Sequence, residues 1–249
     1  MIEIVEIASF SYEKNSKRTN QDSILSPFYI TNDGILFAVA DGVGSYQGGD
    51  LASKTAIDYL KNIKEKEQIT HNIKSIFSKI RENILSLGNI NADYKQAATT
   101  LTFGFLDENN LYIGHIGDCR LYFKDSTEKL KQITKDHTEL QQLVDEKIYT
   151  KKFLQNKKIK HILTTAIANN VEMKIDTFQI SLSEIQDLNG YISIYLMSDG
   201  THHFWDKRPR FSNNTMKSVS RFASSIKKRI EVFSPVDDYS LVALTVKRI

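Results

Sequence analysis

The stretch ILFAVADGVGSYQGGDLAS, Ile35 to Ser53, sets a strand, a carboxylate and a glycine-rich turn directly against one another. Ile35 to Ala40 is an apolar, β-prone run that reads as a buried strand, and Asp41 falls at its carboxyl end, where the backbone leaves the sheet. Gly42, Gly44, Gly48 and Gly49 free the backbone to adopt positive φ and to come close to something small. Leu51 to Ile63 then shows helical spacing. A metal ion or a phosphate fits such a turn. A lone Asp-Gly pair is more often a plain strand-to-helix turn than a ligand site.

The rest of the chain narrows the setting. With 249 residues, 41% hydrophobic and 25% charged, it has the composition of a globular protein able to bury a full core. It contains 3 prolines, no Ser/Gly/Pro-rich linker and no internal repeat, so residues 1–249 are expected to form a single domain. The 33 Lys and Arg are interspersed with 30 Asp and Glu, which gives no patch suited to nucleic acid. Local basic runs, such as Lys227 to Arg229, read as solvated helix faces. Cys119 is the one cysteine, which excludes an intrachain disulfide and a cysteine zinc cage and favours a reducing compartment. No apolar run approaches the roughly 20 residues of a membrane helix, and the alternating start MIEIVEIASF reads as a strand instead of a signal peptide. A cytoplasmic location away from membranes is the expectation.

In chain order, Ile2 to Phe10 predicts a strand, followed by a polar loop that holds Lys17, Arg18, Asn20 and Asp22. The apolar stripes from Ile57 to Ile63 and from Ile73 to Leu87 predict two helices. Thr99 to Leu106, Leu111 to Gly117 and Arg120 to Lys124 read as successive antiparallel strands of a meander, with Asp118 at a strand end or bend. Thr134 or Asp136 is placed to cap a helix carried by Leu140 and Leu143. Lys147 to Lys160 reads as a surface excursion. Ile175 to Leu182 and Tyr191 to Met197 are further strands, the latter stopping at Ser198-Asp199-Gly200. A helix from about Asn214 to Arg229 precedes Asp237-Asp238 and the last strand. His202 and His203 are adjacent, and on an extended strand would point to opposite faces as surface or rim residues.

Asp22, Asp41, Asp118, Asp199 and Asp237 each lie at a strand edge or in an adjoining tight turn, far apart in sequence. Carboxylates gathered from such distant segments suit hard cations, since Mg²⁺ and Mn²⁺ prefer carboxylate, carbonyl and water oxygens. Ordinary turn chemistry explains each of them singly.

The ordered motifs carry more weight. KRTNQDS, FAVADGVG, AATTL, IGDCR, ITKDHT, LMSDG and VDDYS, running from Asn20 to Ser240 with their flanks, resemble the metal-dependent type 2C protein serine/threonine phosphatases, particularly compact bacterial members. The resemblance implies an α+β, four-layer sandwich: two antiparallel β-sheets flanked by helix pairs, with the metal site at one end between the sheets. It implies two core Mn²⁺ or Mg²⁺ ions bridged by Asp41, with the Gly42 carbonyl serving the second and Asp199 and Asp237 completing the first. Asp22 would act through metal-bound water, and Asp118 with Asp199 would hold a third, weaker ion. Hydrolysis of phosphoserine and phosphothreonine would then proceed by a metal-bridging hydroxide without a phosphoenzyme. The implied partners are a phosphorylated protein substrate and a cognate Ser/Thr kinase, with the enzyme a monomer. A catalytically silent phosphoprotein-binding or regulatory module on the same fold is the alternative.

The chain departs from the family pattern in places. Lys17 stands where a phosphate-contacting arginine is usual, with Arg18 beside it, and lysine lacks the bidentate fork of arginine. Val43 replaces a histidine present in some relatives, Ser45 a glycine and Asp50 a glutamate. Cys119 replaces a serine and reads as a small buried residue, not a nucleophile.

Overall fold

The computed structural model describes residues 2–31, 34–44, 47–150, 153 and 162–248. The strands are β1 (Ile2–Tyr12), β2 (Asp22–Thr31), β3 (Gly34–Asp41), β4 (Leu101–Leu106), β5 (Asn110–Ile116), β6 (Arg120–Lys124), β7 (Leu130–Gln132), β8 (Asp176–Ser181), β9 (Tyr191–Met197) and β10 (Tyr239–Arg248). They form two antiparallel five-stranded sheets, ordered β1-β10-β9-β6-β7 and β2-β3-β4-β5-β8. Helices α1 (Gly49–Lys61) and α2 (Ile73–Ile90) cover the outer face of the second sheet. A short α3 (Glu139–Asp145) follows β7, while α4 (Asp199–Lys207) and α5 (Val219–Phe233) cover the outer face of the first sheet.

The four layers explain the central sequence stretch. Along β3, Ile35, Phe37 and Val39 enter the core between the sheets. Leu36, Ala38 and Ala40, on the opposite face, meet α1 and α2. A strand covered on both sides has no polar face, which is why the run shows no alternation even though its neighbours are antiparallel. A fully buried side chain such as Phe37 contributes about 1.5–3 kcal/mol through burial of its apolar surface.

Several local expectations change. The β4–β5 pairing holds, but β6 pairs with β7 and β9 in the other sheet, so the meander breaks after β5. The break occurs at Gly117, whose φ of 107° is closed to ordinary side chains; a Cβ there would lie 2.4 Å from the Thr100 Cβ. Strand β2 carries no strand signal in the sequence because Pro27 interrupts it. It survives as an edge strand with a register shift between Leu25 and Phe28.

The long helix expected from Asn214 splits instead. Ser218 caps α5 by accepting from the Arg221 amide, and the Glu6 carboxylate from β1 accepts from the Ser218 hydroxyl and the Val219 and Ser220 amides. Thr138, rather than Thr134 or Asp136, caps α3. The lysine-rich excursion lies for the most part outside the described residues. Among the described residues no helix is long and apolar enough to cross a membrane.

Substituting Gly117→Ala is expected to destabilise the fold by about 2–4 kcal/mol, because both the backbone conformation and the Thr100 contact oppose a methyl group. Urea unfolding of the two proteins measures it. A change below about 0.5 kcal/mol would show that this crossover tolerates rearrangement.

Candidate active site

The site is assembled where strands from both sheets end. Asp22 opens β2 and Asp41 closes β3, and the two are direct partners in the antiparallel register, which puts both carboxylates on one face. The Asp41 backbone is clamped by the threonine pair of AATTL. Its carbonyl accepts from the Thr100 amide at 2.8 Å and the Thr99 hydroxyl at 2.9 Å, while its amide donates to Thr100 Oγ1 at 3.2 Å. Gly42 follows, donating its amide to the Gln21 carbonyl at 3.0 Å. A Cβ at Gly42 would sit 2.3 Å from the Gly49 carbonyl oxygen, so the turn closes only over glycine.

The first sheet contributes the other wall. Ser198, between β9 and α4, donates its hydroxyl to Asp22 Oδ2 at 2.8 Å and accepts from the Ser240 amide at 2.9 Å. That bridge ties the two sheets beneath the site. Asp199 begins α4, where the positive end of the helix favours a carboxylate. In the pair before β10 the roles divide. Asp238 is buried and accepts the Lys14 and Gln21 amides at 2.7 and 2.8 Å, whereas Asp237 faces the opening.

Asp118 stands on the sheet crossover and its carbonyl accepts from His202 Nε2 at 3.1 Å. His202 is therefore not a rim residue. It lies in α4 and is buried, because the assumption of an extended strand does not hold there. Burial lowers its pKa to about 4, so the ring is neutral near pH 7 with the donor on Nε2. Below it the buried Arg120 binds Asp136 through two bonds of 2.7 and 2.6 Å and reaches Asp206 at 2.8 Å. Burial alone would raise Asp136, but the hydrogen bonds and charge of Arg120 outweigh it and hold that carboxyl below its usual range.

Asp41, Asp118, Asp199 and Asp237 line a cleft of about 310 Å³, with Arg18 at its edge. Asp22 lies behind Asp41 and does not line it. Lys17 is also absent from the lining. Arg18 points in, donating to Gln21 Oε1 at 2.7 Å and lying 3.9 Å from Asp237. Cys119 is fully buried, its thiol pushed up by burial and by the Asp41, Asp118 and Asp22 charges, which leaves it inert. His137 also serves the frame, accepting from the Gly117 amide at 3.1 Å. Ser45 lies outside the described residues.

The family model for protein phosphatase 2C matches residues 12–244. The chain belongs to the protein phosphatase 2C family. It is 22% identical over 233 residues to the serine/threonine phosphatase stp of Listeria welshimeri, covering 91% of this chain and 87% of that protein. It is 35% identical over 114 residues to the serine/threonine protein phosphatase PstP of Mycobacterium tuberculosis, covering 45% of this chain and 22% of that one. The fold matches the serine/threonine phosphatase Stp1 of Staphylococcus aureus with a TM-score of 0.78 at 22% identity, over 97% of this chain and 95% of that one. It also matches the catalytic domain of PstP in complex with 2 manganese ions, with a TM-score of 0.76 at 22% identity, over 99% and 100% of the two chains.

In this protein phosphatase 2C fold the cleft is electrostatically crowded. Burial first, and then the Asp22, Asp199, Asp118 and Asp237 charges, push Asp41 well above the usual carboxylate range. Burial and Asp199 do the same to Asp118, against the opposing Arg120 charge. Asp22 is pushed up to about 7, chiefly by burial, and its Oδ1 is buried without a hydrogen-bond partner. An all-oxygen donor set with such an excess of negative charge fits hard cations such as Mg²⁺ or Mn²⁺. Among the described residues no three His, Cys, Asp or Glu side chains already close into a metal cage. The carboxylates surround a shared space, which suits ions that retain water.

The pH dependence follows in sign. Asp22 has a folded value near 7 against about 3.9 in the unfolded chain, so the folded state holds a proton that the unfolded state releases in that window. The raised groups therefore stabilise the metal-free fold at acid pH, and that contribution is lost as pH rises towards about 7. Melting in the presence of a chelator should show this loss between about pH 6.5 and pH 8, above the range in which the buried His115 and His202, lowered from 6.5 to about 4, contribute the opposite trend. Adding Mn²⁺ at pH 8 should restore the melting temperature. A metal-free protein that grows more stable across the same window would contradict the carboxylate crowding.

Proposed function

We propose that this chain is a metal-dependent phosphoprotein phosphatase that hydrolyses phosphoserine and phosphothreonine. The observation that carries the reading is the convergence of Asp41, Asp118, Asp199 and Asp237 from both sheets on one cleft, with Asp22 behind them and a guanidinium at the edge. Family membership supports it, as do relatives named serine/threonine phosphatases and the PstP structure containing manganese. The catalytic reading is preferred to a silent binding module because every one of the five aspartates is present and placed around the cleft or directly behind it.

In this reading Asp41, the Gly42 carbonyl, Asp199 and Asp237 hold two core ions. Asp22 acts through bound water, and Asp118 with Asp199 holds a third, weaker one. Such ions, held there, would lower the pKa of water and so supply a nucleophile near neutral pH, without need of a phosphoenzyme. The protein's own contribution is positional. Thr99 and Thr100 fix the Asp41 backbone, the Ser198 hydroxyl orients Asp22, and His202 holds the crossover carrying Asp118. Arg18 offers a planar fork for phosphate oxygens, and we assign it the anchoring role ahead of Lys17, since Arg18 lines the cleft. Val43, in place of a histidine, offers no proton, so another residue or water protonates the leaving oxygen. The same proposal takes residues 1–249 as one domain acting as a cytoplasmic monomer opposite a Ser/Thr kinase.

Hydrolysis of an aryl phosphate, and then of phosphothreonine peptides, should require added Mn²⁺ or Mg²⁺ and disappear on chelation. Asp41→Asn should reduce kcat about a hundredfold or more, because that carboxylate serves both core ions. Full activity after exhaustive chelation, or near-normal turnover by Asp41→Asn, would reject the assignment.

Arg18→Ala should raise KM more than it lowers kcat, as expected for a group that grips phosphate in ground and transition states alike. Lys17→Ala should leave KM within about twofold. Steady-state kinetics on both variants decide the matter, and a larger KM effect at Lys17 would reverse it.

A further inference from the structure

A second concave surface lies at the far end of α4. It is a cleft of about 500 Å³ between residues 208–212 and the last turns of α5. Along α5 its lining is Ser225, Lys228, Arg229, Val232 and Phe233, a single helical face at i, i+3, i+4, i+7 and i+8. The opposite face of the same helix, with Phe222, Ile226 and Ile230, is buried against the first sheet. The cleft face ends in two large apolar side chains, Val232 and Phe233, which are 67% and 71% exposed.

The polar part of the lining is cationic. Arg208 and Arg210 face Lys228 and Arg229 across the cleft. Arg229 is structural: it donates to the Phe204, Arg208 and Arg210 carbonyls and stacks on Phe211, with its guanidinium carbon 4.0 Å from the ring centre. Its pKa is lowered by burial and then by the Arg208 charge beside it. Arg208, Arg210 and Lys228 are exposed, and their side chains make no ion pair among the described residues. The nearby carboxylates are already engaged, Asp206 with Arg120 and Glu231 with Lys227. Unneutralised cations around an exposed apolar pair complement a ligand that is both acidic and apolar.

The cleft is tethered to the catalytic carboxylates on two sides. Arg208 immediately follows α4, whose first residue is Asp199, so nine helical steps of 1.5 Å separate them by about 13 Å. Phe233 ends α5 only four residues before Asp237, a span of at most about 14 Å.

We propose that this cleft docks an acidic segment of the phosphoprotein substrate that carries an aliphatic or aromatic anchor, the anchor packing on Val232 and Phe233. The identity of the ligand as substrate rests on the phosphatase reading above. An extended chain advances about 3.3–3.6 Å per residue, so at least about four positions separate the docked segment from the phosphorylated residue. Nucleic acid is the less favoured occupant, because the exposed cations share the cleft with two apolar side chains, Val232 and Phe233, which contacts to a phosphate backbone do not use.

The test uses three measurements on the full chain and on R210E/K228E, whose side chains are exposed and outside the catalytic cleft. In the first, two phosphothreonine peptides differ only in a distal segment, Glu-Glu-Leu-Glu-Phe or Lys-Lys-Leu-Lys-Phe. The acidic peptide should have a KM lower by about tenfold, and R210E/K228E should erase or invert that ratio. In the second, aryl phosphate turnover should be the same in both proteins. In the third, fluorescence anisotropy in chelator follows the labelled, unphosphorylated acidic segment, which should bind the parent chain at least about tenfold more tightly than R210E/K228E. Equal KM values for the two peptides, or equal anisotropy binding by the two proteins, would overturn the proposal. So would displacement of the segment by a labelled single-stranded oligonucleotide that binds more tightly. Absence of aryl phosphate hydrolysis with selective binding of the acidic segment would instead reject the phosphatase reading and leave the docking site standing.

Discussion

Crowding of negative charge at the shared end of the two sheets is the constraint on which the rest of the structure depends. Asp22 and Asp41 face each other across one strand pair, and Asp118, Asp199 and Asp237 approach from other turns. Without a cation, burial first and then the mutual repulsion of these charges raise the affinity of the groups for protons, in line with the upward shifts of Asp22, Asp41, Asp118 and Asp237. The scaffold has to hold the carboxylates against that repulsion. It does so mostly with neutral hydrogen bonds to backbone, which fix position without removing the charge that a cation needs.

The supporting bonds form a connected frame. Thr99 and Thr100 hold Asp41 from the second sheet, while Ser198 reaches across to Asp22 and Ser240 from the first. Asp238 takes two amides of the loop that carries Arg18, so its carboxylate is spent on shaping the entrance. Arg120 and Asp136 form a buried ion pair under the crossover. Loss of one partner from such a pair strands a charge in the interior and is far more damaging than loss of both. The ordering of Asp118 is thus tied to a pair that is not in contact with the cleft opening.

The outer helices serve two ends. Their inner faces complete the core over both sheets, giving β3 its unbroken apolar run, and the first turn of α4 supplies Asp199. The outer face of α5 adds little to the core, and its last turns present Val232, Phe233 and a cation cluster in a cleft of their own.

The sequence by itself determined the elements with strong patterns and the set of carboxylates. Ile35 to Asp41 reads as a strand ending in a carboxylate because burial on both faces leaves an apolar run that any reader can see. Five aspartates at strand ends are legible because each is followed or preceded by a turn, and the order of seven short motifs carries the family. Only the tertiary structure decided which sheet β6 joins, since an apolar strand looks the same in either, and the choice is made by the left-handed turn at Gly117. It also showed that β2 persists through Pro27, because an edge strand does not need every amide. The division of labour between Asp237 and Asp238, between Lys17 and Arg18, and the inward turn of His202 depend on contacts more than 80 residues apart in sequence. Composition and periodicity carry no record of such contacts, because they report which face of an element is apolar and not which distant group meets it.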